Sequence, residues 1–221
     1  MMKNLFQKYK HAWVLLYAFL YFPCFIYLEK HITKDFHVIH MPLDDHIPFL
    51  EIFIIPYTLW FAYIAGTILY FFFTDVREYY KLTAFLFIGM TIFLIVSALY
   101  PNGQLLRPQE FPRENIFTDM VRVLYNSDTP TNILPSIHVY NSIGACIAIL
   151  RCDALKKHRF IHIGAPVLSI LIILSTMYLK QHSVWDVIFG IGMAWVLYYF
   201  IYQVDYAAAR AKRKSKVKRY S

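Results

Sequence analysis

Six long apolar segments dominate this chain and decide most of what it can become. They run over about 12–28, 52–73, 82–100, 136–153, 159–178 and 184–204, and few charges fall inside them. A helix needs roughly 20 apolar residues to cross the hydrocarbon core of a bilayer. Most of the segments approach that length, and none shows the alternating pattern of a membrane barrel strand. Composition agrees: 58% of the 221 residues are hydrophobic and only 16% are charged, unlike the balance of a soluble domain. The sequence predicts an all-α integral membrane bundle of six transmembrane helices over 1–204, followed by a basic tail over 205–221. It shows no internal repeat and no second domain. The first apolar run follows Lys3, Lys8 and Lys10 as in a signal peptide, but no small-residue cleavage site follows Phe22-Pro23-Cys24-Phe25. It is read as an uncleaved first span.

An even number of spans places both termini on one side. With that side cytoplasmic, 16 of the 22 Lys and Arg fall in the inner segments 1–11, 74–81, 151–159 and 205–221, as the positive-inside bias requires. Lys30, Lys34, Arg107, Arg113, Arg122 and Lys180 remain outside. The net charge of +8 includes seven basic residues between Arg210 and Arg219. Their place beside a span argues for a topology signal or anionic lipid, and against nucleic acid. The small size suggests a bacterial plasma membrane. Cys24, Cys146 and Cys152 are odd in number and lie in or beside apolar segments. They imply no disulfide framework and read as small buried apolar side chains.

Strongly polar residues are costly near a bilayer, so those at the span borders point to a site. His138 follows Pro135-Ser136-Ile137 at the start of an apolar run. Proline and serine there mark a helix N-terminus, whose free N–H groups and positive dipole end suit an anion such as phosphate. A capped helix with an interfacial histidine accounts for the same tetrapeptide. His182 precedes Asp186 by four residues, which puts both on one helix face. A carboxylate on one imidazole nitrogen fixes the tautomer and leaves the other nitrogen free as nucleophile or base. A purely structural His–Asp pair is the plainer alternative. Gly190 and Ala194 continue the Asp186 face and allow close approach of another helix. Arg107 is a bidentate phosphate binder or a snorkelling interfacial residue. The orientation places Arg107, His138 and His182 on the same, outer side.

Residues 31–46 carry His31, His37, His40 and His46 with Asp35, Asp44 and Asp45. Their spacing matches no familiar zinc site. The stretch reads as a solvated outer loop or an interfacial helix; the alternative has Asp44 and Asp45 facing the pocket mouth, and they are not assigned to the site. No metal and no cofactor is expected. The 101–135 connection is the longest outer segment, and long loops of this kind are often functional.

Together these residues resemble the type-2 phosphatidic acid phosphatase superfamily, the lipid phosphate phosphatases. That family carries Lys-x6-Arg-Pro, Pro-Ser-x-His and Ser-Arg-x5-His-x3-Asp in this order. Arg107-Pro108 matches the end of the first motif, Pro135-Ser136-Ile137-His138 the whole second, and Ser175-x6-His182-x3-Asp186 the third. Tyr100 stands where the family has the first motif's lysine, and Thr176 where it has the third motif's arginine. Lys180 or Arg113 are candidate replacements. Lipid phosphotransferase relatives such as sphingomyelin and inositol-phosphoceramide synthases lack these cations too.

The resemblance implies a metal-independent phosphohistidine mechanism. His182 would attack phosphorus, Asp186 orient it and His138 protonate the leaving alcohol. Arg107, Ser136 and the Ile137 backbone would hold phosphate oxygens, with Ser175, Thr176 and Tyr100 at further motif positions and Lys180 as a replacement cation among the candidate phosphate-binding residues. The expected substrate is a phospholipid or polyprenyl phosphate or diphosphate drawn from the membrane lipids. A lipid phosphotransferase and a non-catalytic lipid-binding or transport protein are the alternatives on the same scaffold. Haem ligation by His138 and His182 would leave Asp186, Ser136 and Arg107 unexplained. Lipid identity and oligomeric state are not encoded in these motifs.

Overall fold

The structure, a computed structural model, describes residues 7–204. The basic tail predicted over 205–221 lies outside the described residues. Among those described, eight α-helices carry the chain. They are α1 (Tyr17–His31), α2 (Ile54–Thr74), α3 (Val76–Leu99), α4 (Ile116–Ser127), α5 (Ile137–Arg151), α6 (Asp153–Lys156), α7 (Arg159–Tyr178) and α8 (Val184–Tyr198). A 3-10 stretch, Lys10–Leu16, leads into α1, and α8 continues as a π-helical turn, Tyr199–Gln203. The fold is all-helical apart from two short strands, β1 (His37–Val38) and β2 (Asn102–Gly103), which pair in parallel.

Five helical stretches are long and apolar enough to cross a membrane: Lys10–His31, Glu51–Thr74, Val76–Leu99, Arg159–Tyr178 and Val184–Gln203. The remaining predicted span, 136–153, is the 15-residue α5. At 1.5 Å per residue it is about 22 Å long, short of the roughly 30 Å hydrocarbon core. It stands at the centre of the bundle and packs against α2, α3, α7 and α8. Its small residues Gly144, Ala145 and Ala148 are buried, which lets neighbouring backbones come close. The prediction that α3 begins near 82 is corrected to Val76. The Asp75 carboxylate accepts from the backbone N–H of Arg77 and Glu78 and starts the helix six residues earlier. Cys24 is also corrected: it is exposed on α1, while Cys146 and Cys152 are half-buried.

The 101–135 connection is held down along its length. Within it, α4 is amphipathic, and its Val121 packs against Ile54, Tyr57 and Leu179. Asn102 accepts through Oδ1 from the backbone N–H of Ile133 and Leu134, both at 2.9 Å. Glu29 of α1 accepts from the Asn132 amide at 2.8 Å and from the Thr129 backbone N–H and hydroxyl. These bonds place the segment ahead of α5.

In the core, the Tyr140 ring of α5 stacks on Phe85 of α3 at 4.6 Å. Its hydroxyl donates to the Phe85 carbonyl at 2.6 Å. The ring lies over Gly89, where a Cβ would stand 2.1 Å from it. Gly89→Ala must therefore displace a hydrogen-bonded ring. It is expected to cost about 1–3 kcal/mol, read as a lowered unfolding temperature in detergent; an unchanged temperature would contradict this packing.

Candidate active site

Three chain breaks between helices converge at one end of the bundle: the start of α5, the turn from α7 to α8, and the loop carrying Arg107. Ser136 caps α5, its hydroxyl accepting from the Val139 N–H at 3.4 Å. Ser183 caps α8, accepting from the Trp185 N–H at 3.2 Å. The Ser136 backbone N–H donates to the Asp186 carbonyl at 3.2 Å, so the two helix starts touch. Gly190 makes this possible, since a Cβ there would lie 3.0 Å from the Ser136 carbonyl. The sequence expectation for Gly190 and the buried Ala194 holds.

The His138 and His182 ring centroids are 5.8 Å apart. The Asp186 Oδ2 lies 3.3 Å from His182 Nδ1 and accepts the Ser183 backbone N–H at 2.8 Å. This leaves His182 Nε2 as the nitrogen not engaged by the carboxylate. Burial lowers the His182 pKa, and the Arg107 charge adds to this while the Ile133 carbonyl opposes it. The ring is thus neutral at pH 7, with a lone pair available. His138 sits against Tyr57 at 4.7 Å and Trp60 at 4.4 Å. Neither His138 nitrogen has a hydrogen-bond partner, and Trp60 Nε1, Gln181 Nε2, Arg107 Nε and Asp186 Oδ1 are likewise buried and unpartnered. Buried polar atoms are ordinarily satisfied. Unmet donors and acceptors thus gather around the two histidines, where a polar ligand would satisfy them.

Other motif positions are placed differently. Arg107 gives four of its five N–H donors to protein: the Tyr125 and Asp128 carbonyls, the Thr129 carbonyl and Gln181 Oε1. Its guanidinium also lies 4.5 Å from the Tyr125 ring centroid. Only Nε–H remains for an anion. The Ser175 and Thr176 hydroxyls donate to carbonyls of their own helix at 2.6 and 2.8 Å. The Thr176 carbonyl accepts the backbone N–H of both Gln181 and His182, which shapes the turn. Lys180 Nζ donates to the Asp44 and Ile47 carbonyls at 2.7 and 2.5 Å. Tyr100 stacks on His37 at 4.3 Å and lines a groove of about 480 Å³ with Leu134, Trp185 and Phe189. Arg113 meets Glu51 at 3.5 Å. The structure brings His138, His182 and Asp186 together, sets Ser136 and Arg107 beside them, and turns the others toward neighbouring protein.

The 31–46 histidines each have separate contacts. His31 and His46 bond nearby carbonyls, and His40 pairs with Asp45 at 2.9 Å. No group of three or more metal-ligating side chains forms among the described residues. The reading of this stretch as solvated is corrected at Asp44, which is buried against Ser183. Trp60 and Gln181 had escaped sequence reading, and Asp44 was named there but not assigned to the site. Trp60 resembles any span aromatic, and Asp44 owes its position to a contact 139 residues away.

Asp128 follows α4 beneath Arg107. Burial raises its carboxyl pKa to about 6; the Glu29 charge adds to the shift and Arg107 opposes it. An unfolded aspartate titrates near 3.9. The folded state therefore keeps this proton to higher pH than the unfolded chain. The resulting stabilisation is present below about pH 4 and is lost as pH rises through about 6. Asp128→Asn lacks this titration, so its unfolding temperature is expected to rise relative to wild type between pH 4 and pH 7. A constant difference across that range would refute the assignment.

Comparison with curated proteins and with solved structures returned no match. Residues 103–210 match the family model of the PAP2 superfamily. Arg107-Pro108 and the whole of the second and third motifs fall within that segment; Tyr100, at the start of the first, lies just before it. The apolar helices and this match fit a membrane phosphatase-type protein, and the PAP2 superfamily is the one that the motifs resemble.

Proposed function

We propose that this chain is an integral membrane phosphatase that hydrolyses a lipid phosphate or diphosphate through a phosphohistidine. The observation that carries the reading is the His138–His182 juxtaposition at 5.8 Å with Asp186 on His182 Nδ1. His182 Nε2 attacks phosphorus while the ester P–O bond breaks. His138, protonated as the phosphate dianion binds, gives its proton to the departing oxygen, an alkoxide from a monoester or the lipid phosphate from a diphosphate. Water then attacks the P–N bond and gives a proton to His138, releasing inorganic phosphate and restoring both rings. The phosphate oxygens are held by the α5 N-terminus at Ile137, by Ser136 and Arg107 Nε–H, and by the unpartnered donors of Trp60 and Gln181.

In this reading α5 is a sixth, shorter crossing, protected from lipid by the helices around it. Both termini are cytoplasmic and the site opens on the outer face of a plasma membrane, as the basic residues direct. A phosphotransferase is the second reading. It is favoured by Tyr100 and Thr176 at the family's cation positions, and by the groove beside Trp185, which offers room for an acceptor.

Purified protein is expected to release phosphate from at least one lipid phosphate or diphosphate. His182→Ala should abolish that release, and His138→Ala should slow it by roughly 10²–10⁴-fold. Wild-type turnover by His182→Ala would end the mechanism. Product that forms only when a lipid alcohol is added would favour the transferase. For the topology, a single cysteine at exposed Asn126 should react in intact cells with a membrane-impermeant maleimide; protection there until lysis would reverse the orientation.

A further inference from the structure

Outside the motifs, the carboxylate tied most directly to the His182 turn among the described residues belongs to Asp44. It lies in the 3-10 turn Pro42–His46 between α1 and α2 and is 2% exposed. Its oxygens accept three hydrogen bonds: from the Met41 N–H at 2.7 Å, the Ser183 hydroxyl at 2.6 Å and the Val184 N–H at 2.8 Å. Ser183 is the residue between His182 and α8. Its own N–H donates to Asp186 Oδ2 at 2.8 Å, the oxygen that meets His182 Nδ1. On the other side of His182, Lys180 has a left-handed backbone (φ 52°) and returns its ammonium group to the carbonyls of Asp44 and Ile47. The histidine is therefore bracketed, at 180 and at 183–184, by bonds to one short turn.

We propose that Asp44 is a positioning residue for His182, acting through the first turn of α8; the proposal rests on the phosphatase reading of the same site. A helix start leaves its first N–H groups without intrahelical partners. Ser183 serves the Trp185 N–H, and Asp44 serves that of Val184. Asp44 also fixes the Ser183 hydroxyl proton, leaving the oxygen's lone pairs for Trp185. An anion at this end is favoured by the helix dipole, and bonds to a carboxylate are stronger than neutral ones. The His182–Asp186 contact is already long at 3.3 Å. A slip of the α8 start would break it without touching any group that meets substrate, and a displacement of about 1 Å can cost on the order of 10²-fold in rate.

Asp44→Asn tests this, because the amide keeps the size but turns one acceptor into a donor. Whichever way it sits, its NH₂ faces a group that also donates. Its kcat is expected to fall roughly 10–100-fold, as for other supporting-shell losses, with KM changed less than about twofold. Ser183→Ala should lower kcat in the same direction, and the double variant should be no slower than Asp44→Asn alone, since both break one path. Tyr140→Phe removes the core hydrogen bond to the Phe85 carbonyl, which is not part of the Asp44–Ser183–Asp186 path, and serves as control, with lower stability and unchanged kcat. The ¹⁵N shifts of the His182 ring report its tautomer directly, and Asp44→Asn should move them while Tyr140→Phe does not. A folded Asp44→Asn protein with wild-type kcat, or a double variant with fully additive losses, would overturn the proposal. If wild-type protein releases phosphate from no lipid, the phosphatase reading falls and the ¹⁵N shifts decide alone. Movement in Asp44→Asn only upholds positioning by Asp44, and no movement overturns it.

Discussion

A carboxylate near a bilayer must find its donors within the protein, because little water reaches it there. Glu29, Asp44 and Asp186 each do so at the same end of this bundle as the two histidines, and each ties the chain together there. Glu29 joins α1 to the segment before α5 through Thr129 and Asn132. Asp44 joins the α1–α2 connection to the start of α8. Asp186 joins that start to His182. The helices could pack by apolar contact alone in many relative heights. The three carboxylates select the arrangement in which the starts of α5 and α8 meet and two histidines face one another.

Arg107 belongs to the same frame. Four of its N–H groups satisfy carbonyls or an amide oxygen of the loop and of Gln181. It connects Asp128 and Thr129, next to the Glu29 cluster, with the residue preceding His182. The phosphate-binding role that the motif suggests is thereby narrowed to Nε–H. The rest of the guanidinium is structural, and an anion bound as proposed would meet more neutral donors than the motif implied.

Sequence reading reached furthest where the physics is local. Segment 159–178 matched α7 at both ends, because basic residues precede it and a polar turn follows it. The start of α3 was placed late, since Arg77, Glu78 and Lys81 dilute the apolar signal of a helix that begins outside the hydrocarbon. The periodicity of α4 was present in Phe117, Val121, Leu124 and Tyr125, but it is concealed in a segment that otherwise reads as loop. The His182–Asp186 contact follows from a spacing of four on one helix face. The approach of His138 to His182 does not, because it needs the Gly190 contact between two helices. Asp44 and Trp60 had no local signature, and only tertiary packing identifies their partners.

The short central helix has a consequence for access. His138 stands level with Tyr57 and Trp60 of α2, three and six residues past the first residue of that helix. At 1.5 Å per residue this puts the ring about 5–9 Å below the rim that α2 forms. The two histidines thus lie inside the bundle rather than on its surface. A lipid held by its chains in the surrounding leaflet need not rise into solvent to present its headgroup. A water-soluble phosphoester would have to descend without such an anchor. In the proposed phosphatase, depth would then favour a substrate that starts in the leaflet.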